Sequence, residues 1–284
     1  MFDYSNYKCE YLSKSQIKVK VENFRNEHWP EKIVPVDMEL LLSKRMKIDI
    51  IPSRGIKELT KTDAFLKSDL TAIVVDLMQY MDEQDRYANR LRFSFAHEIG
   101  HILFDELGLG TYVKNIEYRT FNPQGSRRLR GKIVEHLCDC AAAELLMPES
   151  IFKKYLSGFA VSIYSVERLA NSFQVSIQAA AIRIAEVSTE PCLVTKWQPE
   201  KRKPTNLRLA WCMGPEKKGK GYYEPIHVSV RPPSAIHNAY EGGSCVKSFR
   251  LFKIGDGVQR LLTESKGFGQ GETRYVISLA FLDR

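Results

Sequence analysis

The sequence predicts an α+β protein in which a mostly helical N-terminal part with a small sheet precedes a β-rich C-terminal part. Between residues 82 and 187, apolar residues recur at spacings of three and four, which is the period of an amphipathic helix. Two short β-branched segments, residues 47–52 and 70–77, come earlier and predict strands. After Glu190, short aromatic and β-branched segments alternate with glycine and proline, which predicts strands joined by turns.

Composition and charge place the chain among ordinary globular proteins. It has 284 residues, of which 44% are hydrophobic and 27% charged, so it can bury a core without disulfide staples. The formal net charge of +8 is compatible with binding to nucleic acid or to an acidic partner. It is equally compatible with a basic surface that has no binding role. The six cysteines show no CxxC pair and no disulfide spacing, so we expect free thiols in the cytoplasm. With no apolar leader and no apolar run of membrane-spanning length, we expect no membrane association.

The helical part divides into segments with recognisable starts and stops. Before the strands, we expect a helix from Ser13 to Asn26 and a second helix capped by Asp37. Further helices are expected at residues 82–106 and 131–148, separated by an irregular stretch rich in Gly, Asn and Pro. The chain from 1 to 158 is therefore interpreted as a first domain.

Two further parts follow the first domain. Residues 159–189 form a helical segment, and within it "SVERLANSFQVSIQAAAIRIAEV" (165–187) has the spacing of a helix-turn-helix. Its second helix offers only Gln178 and Arg183 to read bases, so DNA binding is weakly supported and a packing role is favoured. Residues 190–284 are predicted to form a β-rich domain of about five strands and one short helix, and residues 196–206 within it are basic and contain proline, as in a linker or exposed loop.

The stretch "FSFAHEIGHILF" (93–104) places three ionisable residues in an apolar segment. His97 and His101 stand four apart, so on a helix both imidazoles lie on one face and can share one cation. Glu98 sits beside that face, where it can take a proton from a water molecule without ligating the metal. Gly100 would let another element approach the helix closely. The pattern predicts a catalytic zinc site, which Mn²⁺ or Fe²⁺ could also occupy.

A third metal ligand is expected on the next long helix. Glu135 and Asp139 again stand four apart, so Glu135 could complete a His₂Glu site and Asp139 could accept the free N–H of a ligating histidine. Cys138 and Cys140 are interpreted as small core residues. Other candidates for the third ligand are Asp105, Glu106, His136 and Asp139 itself. Candidate donors to a developing oxyanion are Tyr112, Tyr118 and His136.

These segments in this order carry a family resemblance. "PVDMELLLSKRMKIDIIP", then "RLRFSFAHEIGHILF", then "IVEHLCDCAAAELLMP" resembles the ImmA/IrrE family of zinc metallopeptidases over residues 30–185. The resemblance implies a gluzincin-like HExxH peptidase domain, with zinc held by His97, His101 and Glu135 and with Glu98 as general base. It also implies a GAF-like sensor domain at the C-terminus.

The resemblance further implies a substrate, which is a helix-turn-helix transcriptional repressor whose cleavage derepresses stress or DNA-damage response genes. The competing interpretation is a non-enzymatic, zinc-containing transcriptional regulator that binds DNA or a partner protein. The basic stretches at 126–132 and 196–208 could contact phosphates in that case, although solvated loops have the same composition.

Overall fold

The computed structural model describes residues 13–60, 62–81, 85–105, 125–214 and 223–282. Within them the fold is mixed α+β, as predicted, with a helical region followed by a curled antiparallel sheet. The chain divides into two compact units: unit 1 comprises residues 1–148 and 172–176, and unit 2 comprises residues 149–171 and 177–284. Each unit is described by itself below. The division into domains 1–158, 159–189 and 190–284 stays a prediction.

Five α-helices and a π-helix are described in the N-terminal 148 residues. They are α1 (Lys14–His28), the π-helix (Leu40–Met46), α2 (Ile56–Thr60), α3 (Leu77–Tyr80), α4 (Asp85–Asp105) and α5 (Gly125–Leu146). Helix α1 begins with a capping box, because Gln16 N–H donates to Ser13 Oγ and Ser13 N–H donates to Gln16 Oε1. Asp37 caps the next helical segment as predicted, accepting the N–H of Leu40 at 2.9 Å.

A small three-stranded sheet lies in unit 1. Its strands β1 (Asp49–Ser53), β2 (Ala64–Leu66) and β3 (Ala72–Asp76) are ordered β1-β3-β2. The central strand β3 pairs parallel with β1 and antiparallel with β2. It is the most buried of the three, which explains its run of Ala, Ile and Val. Strand β2 is therefore an edge strand, and the sequence analysis did not predict it.

Helices α4 and α5 approach each other closely at Gly100. A Cβ added there would lie 2.8 Å from Cys138 Cα and 3.0 Å from Cys138 Cβ, nearer than atoms can pack. The prediction that Gly100 admits another element is confirmed, and that element is α5. Because the glycine lies between His97 and His101 and the cysteine between Glu135 and Asp139, this contact sets the two polar faces beside each other.

The part of the chain after residue 148 combines four helices with one large sheet. The helices are α6 (Glu149–Leu156), α7 (Ile163–Phe173), α8 (Ile177–Val187) and α9 (Ala235–Gly242). The predicted helix, short turn and helix between 165 and 187 correspond to α7 and α8, which are joined by three residues. Gln174 in this turn has a left-handed φ of 49°, so the chain leaves α7 abruptly.

The large sheet has seven strands in the order β6-β8-β9-β10-β4-β5-β7. They are β4 (Cys192–Pro199), β5 (Leu207–Met213), β6 (Tyr223–Pro225), β7 (Ser229–Val230), β8 (Val246–Ile254), β9 (Gly257–Phe268) and β10 (Tyr275–Phe281). All of the pairings are antiparallel. The sheet is curled: a Cβ added to Gly214, just after β5, would lie 2.8 Å from a ring carbon of Tyr223 on the distant strand β6.

Two hydrophobic clusters fill the concave side of this sheet. Their buried members are Trp197, Leu207, Leu209, Ile236, Ala239 and Val276 in the first, and Leu193, Phe252, Leu261 and Ala280 in the second. Helix α9 covers the first cluster through Ile236 and Ala239. Burial of each large apolar side chain contributes about 1.5–3 kcal/mol, so these clusters hold the curl of the sheet.

The structure corrects the predicted extent of two segments and adds one further strand that was not predicted. Residues 196–199, assigned to a basic linker or exposed loop, are the end of β4, where Trp197 is fully buried. Strand β9 was not identified, because its polar residues Thr263, Glu264 and Ser265 are buried and break the expected alternation. Helix α5 begins at Gly125, six residues before the predicted start.

None of the described helices has both the length and the apolar character that a membrane crossing requires.

Candidate metal centre

Helix α4 brings His97 and His101 to one face, as their spacing predicts. Their ring centroids are 5.1 Å apart and the rings meet edge to face at 73°. His101 is buried and His97 is mostly so. Two imidazoles at this separation can direct one nitrogen each toward a single cation.

Glu135 of α5 reaches both histidines. One carboxylate oxygen lies 3.5 Å from His97 Nε2, and the other lies 3.8 Å from His101 Nε2. Donors of a tetrahedral zinc site, with metal–ligand distances of about 2.0–2.1 Å, lie about 3.3 Å from one another. The two nitrogens and the carboxylate therefore fit a divalent cation placed between them, with only small movements of the side chains.

Asp139 lies one turn further along α5 and contacts the other side of the His97 ring. Its Oδ1 is 2.9 Å from His97 Nδ1. Because an ionised carboxylate can only accept, His97 donates from Nδ1, so Nε2, which faces Glu135, is the nitrogen that can bind a cation.

The two carboxylates perturb His97 strongly. Burial lowers the pKa of His97, but the hydrogen bonds to Asp139 and Glu135 and the nearby negative charges outweigh burial and raise the pKa to about 9. In the absence of a cation, the site therefore holds a proton in the cation's place.

Glu98 is buried beside the histidines, with 5% of its surface exposed. Its Oε2 accepts the backbone N–H of Leu66 at 2.9 Å. Leu66 belongs to the edge strand β2, so the small sheet fixes the orientation of this carboxylate. Nothing in the sequence identified this contact, because β2 has only three residues and follows no long apolar pattern.

A cavity of about 190 Å³ opens at this point. It is lined by Thr62, Asp63, Ala64, Phe93, Ser94, His97, Glu98 and Glu135. Two predicted metal ligands and the predicted base thus face one space, together with the end of β2. Phe93 and Ser94 are one helical turn before His97, so the period of α4 could have identified them.

Asp63 in the cavity wall is a buried carboxylate that the sequence analysis missed. It forms an ion pair with Arg90 of α4 and accepts a hydrogen bond from Gln79 Nε2 at 2.6 Å. Its charge is also near Lys57, at 3.7 Å. These contacts tie the start of β2 to α4 beside the histidines.

Cys138 is a second candidate for the third ligand position. It is fully buried, as expected of a core residue, yet its sulfur and one nitrogen from each of His97 and His101 lie within 4.8 Å of one another. We favour Glu135, because it reaches Nε2 of both histidines and lines the cavity, whereas Cys138 packs against Gly100.

The remaining candidates are less well placed or lie outside the described residues. Asp105 ends α4 and does not line the cavity. His136 does not line the cavity, and its Nε2 lies 3.7 Å from Cys140 Sγ. Glu106, Tyr112 and Tyr118 lie outside the described residues.

Comparison with known proteins finds a matching family model over part of the chain. Residues 83–185 match the IrrE N-terminal-like domain of the peptidase family M78. The radiation response metalloprotease IrrE of Deinococcus radiodurans is 31% identical over 112 residues, which are 39% of this chain and 32% of that protein. The match thus spans about a third of the length of the relative.

A solved structure resembles most of the chain in fold. It is a transcriptional regulator of Mycobacterium tuberculosis, with a TM-score of 0.59 and 12% identity, covering 96% of this chain and 77% of that one. At this identity the likeness concerns the fold alone. The domain match includes the helix with His97, Glu98 and His101, and together with the curated relative it supports assignment of this part of the chain to the ImmA/IrrE family.

Proposed function

We propose that the protein is a zinc-dependent endopeptidase that cleaves a helix-turn-helix transcriptional repressor and so derepresses stress or DNA-damage response genes. One observation carries the catalytic part of the proposal: His97, Glu98 and Glu135 line the same cavity, and Glu135 reaches Nε2 of both histidines. A site that only stabilised a fold would close all four zinc positions with protein side chains. Here a carboxylate remains beside the ligands, facing open space.

In this proposal the cation is held by His97, His101 and Glu135. When bound, it would lower the pKa of a water molecule and polarise the scissile carbonyl. Zinc suits two imidazoles and a carboxylate, although Mn²⁺ or Fe²⁺ accept the same donors.

Glu98 acts as the general base. It takes the proton of the attacking water and passes it to the leaving amine, steps that typically contribute 10²–10⁴-fold to the rate. The Leu66 N–H bonded to its Oε2 holds the carboxylate in place during both transfers. Asp139 keeps the Nδ1 proton on His97, which reserves Nε2 for the cation.

The substrate is proposed to bind as an extended segment along β2. This strand is one of the two outer strands of its sheet, and Ala64 on it lines the cavity. An edge strand offers unpaired backbone groups with which an extended peptide can pair. A repressor as the source of that segment is inferred from the resemblance to the ImmA/IrrE family and from the relative, whose name describes a radiation response.

The C-terminal residues 190–284 are proposed to form a GAF-like sensor domain, and 159–189 a helix-turn-helix-like segment. A cytoplasmic location is part of the same proposal, supported by the free thiols of the five described cysteines. Deletion of residues 190–284 is expected to leave metal binding intact and to alter the regulation of cleavage.

The alternative function, a non-enzymatic transcriptional regulator, has less support from the structure. In α8, Arg183 is buried and bonds Glu186, and Gln178 accepts from Lys196 Nζ at 3.0 Å. The two residues that could have read bases are therefore engaged within unit 2, which favours the enzyme.

The deciding experiment compares new protein N-termini in stressed cells that carry the wild type or Glu98→Ala. We expect a cut inside a helix-turn-helix repressor that depends on Glu98, with equal metal content in both proteins. Glu149→Gln is the matched control, because it removes a carboxylate that pairs with Lys153 and does not line the cavity. Identical N-termini and identical transcription in both strains would favour the regulator instead.

A further inference from the structure

An arginine from one strand meets a tryptophan from another across the concave side of the large sheet. The strand registers put Arg250 of β8 and Trp197 of β4 on the same face, three strands apart. Three strand spacings of about 4.8 Å and a register offset of about six residues along the strand would place their Cα atoms about 25 Å from each other in a flat sheet. The curl closes this gap, and Arg250 Cζ lies 4.7 Å from the centroid of the Trp197 ring.

The guanidinium of Arg250 has no counterion among the described residues. Its Nε is buried without a hydrogen-bond partner, and so is the hydroxyl of Ser248, two residues earlier on the same face of β8. Burial alone lowers the pKa of Arg250 to about 10, with no contribution from a carboxylate. The side chain therefore remains a cation in an environment that gives its charge little compensation.

Three other arginines among the described residues that are buried or largely buried are accompanied by acids. Arg183 bonds Glu186 at 3.2 Å, Arg25 lies in the field of Glu144, and Arg92 lies in the field of Asp37. Arg250 differs from all three. Arg250 is only partly exposed, and a charge that is largely removed from water without compensation is costly, so this position is a candidate for binding the missing anion.

The surroundings of Arg250 suit a ligand that is part anion and part apolar. On the same face of the sheet lie Phe252 and Leu261, members of one hydrophobic cluster, and Trp197, which belongs to the other. Cys212 of β5 pairs with Thr195 of β4. Burial raises the pKa of its thiol to about 12, so the thiol stays protonated and adds no negative charge. The fork of a guanidinium binds the two oxygens of a carboxylate or phosphate at once.

We propose that the concave face of this sheet is a binding site for a small organic anion. Arg250 and Ser248 bind its phosphate or carboxylate group, and the partly buried Tyr223 and Ile254, which pack against the second hydrophobic cluster, contact its apolar part. The site is independent of the proposed peptidase centre, and its test requires no cleavage.

The test uses the full chain with phenyl phosphate and benzoate as probes, and with phenol and inorganic phosphate as partial ligands. At constant ionic strength, one of the two anionic probes is expected to raise the melting temperature and to change tryptophan fluorescence in a saturable manner. Comparison of the two probes distinguishes a phosphate from a carboxylate ligand. Phenol should bind at least tenfold more weakly, because it lacks the anion. Wild-type protein that responds to none of these compounds would overturn the proposal.

Arg250→Met separates a binding role from a structural one. Because the variant replaces an uncompensated, partly buried cation by an apolar chain of similar length, the ligand-free protein should melt at the same or a higher temperature. Its affinity for the probe should fall at least tenfold, and Ser248→Ala should weaken binding severalfold. A lower melting temperature with unchanged probe affinity, or a failure to fold, would assign Arg250 to the scaffold and contradict the proposal.

Arg260→Met is the matched control. Arg260 also stacks on an aromatic ring, that of Phe249 at 4.6 Å, and it lies on the neighbouring strand β9. However, both residues are exposed on the opposite face of the sheet. This variant should keep the probe affinity of the wild type, and an equal loss in both variants would indicate a non-specific charge effect and refute a site at Arg250.

Discussion

Oδ1 of Asp139 lies 2.9 Å from Nδ1 of His97, and this contact joins the two helices that form the candidate metal centre. It fixes the histidine tautomer, and it connects a residue on α5 to the chemistry of α4. Loss of such an outer partner typically lowers metal affinity by 10–100-fold.

Asp139→Asn should therefore reduce the affinity for Zn²⁺ about 10–100-fold while the fold is retained. The amide can still contact Nδ1, but it no longer supplies negative charge to the ring. Competition with a chromogenic chelator measures the change. Cys140→Ser, at the next position on α5, is the control and should bind zinc as the wild type does. An unchanged affinity in Asp139→Asn would show that the contact does not support the ligand.

The third ligand can be identified by paired substitutions. Glu135→Gln should lose more affinity for zinc than Asp139→Asn, because it removes a donor that reaches both histidines. Cys138→Ala should keep one zinc per chain, measured by elemental analysis after dialysis. The reverse result, with metal lost in Cys138→Ala and kept in Glu135→Gln, would assign the position to the thiolate.

Metal binding should depend steeply on pH. The pKa of His97 is raised to about 9 in the metal-free protein, so below that pH a cation must displace a proton. One displaced proton raises the apparent affinity about tenfold for each pH unit. Chelator competition at pH 7 and pH 8 tests this, and equal affinities at the two values would show that His97 is already neutral.

The metal-free protein should lose stability at alkaline pH. A histidine whose folded-state pKa exceeds its unfolded value of about 6.5 stabilises the fold fully below that value. The contribution is then lost as pH rises through about 9. Melting temperatures in the presence of a chelator should therefore fall between pH 6.5 and 9. His97→Gln should show a smaller decrease over the same interval, and an equal decrease in both would exclude His97 as the cause.

Gly100→Ala should destabilise unit 1. The new Cβ would meet backbone atoms of Cys138 at 2.8 Å, which no side-chain rotation relieves. Overpacking of this kind typically costs about 1–3 kcal/mol, and the better helix propensity of alanine offsets only part of it. Gly242→Ala is the control, since a Cβ there has no atom within 4 Å. Thermal melting of both variants gives the comparison, and equal melting temperatures would show that α4 and α5 separate easily.

The isolated protein is expected to bind duplex DNA no more tightly than a non-specific basic protein does, with a Kd of about 10⁻⁴–10⁻⁶ M at physiological salt. The reason is that Gln178 and Arg183 are occupied within unit 2. Selection from random DNA followed by salt titration is the measurement. Recovery of a defined site with high affinity would restore the regulator as the better interpretation.

The sequence by itself predicted which residues lie together wherever local helix geometry determines this. His97 and His101 face the same way because residues four apart always do so on a helix, and the same period places Glu135 above Asp139. Gly100 also predicted a close contact, because a residue without a side chain is needed where another element approaches the helix closely. The family resemblance depended on these same segments.

Contacts between residues on different helices and strands could be identified only from the tertiary structure. Leu66 and Glu98 are 32 residues apart, and their hydrogen bond exists only because β2 forms the edge of its sheet beside α4. Cys138 looked like a core residue and is buried like one, yet the packing of α5 on Gly100 also brings its sulfur to the histidines. Arg250 meets Trp197 because the sheet curls. Local periodicity specifies the face of each element, but only packing between elements specifies what that face contacts.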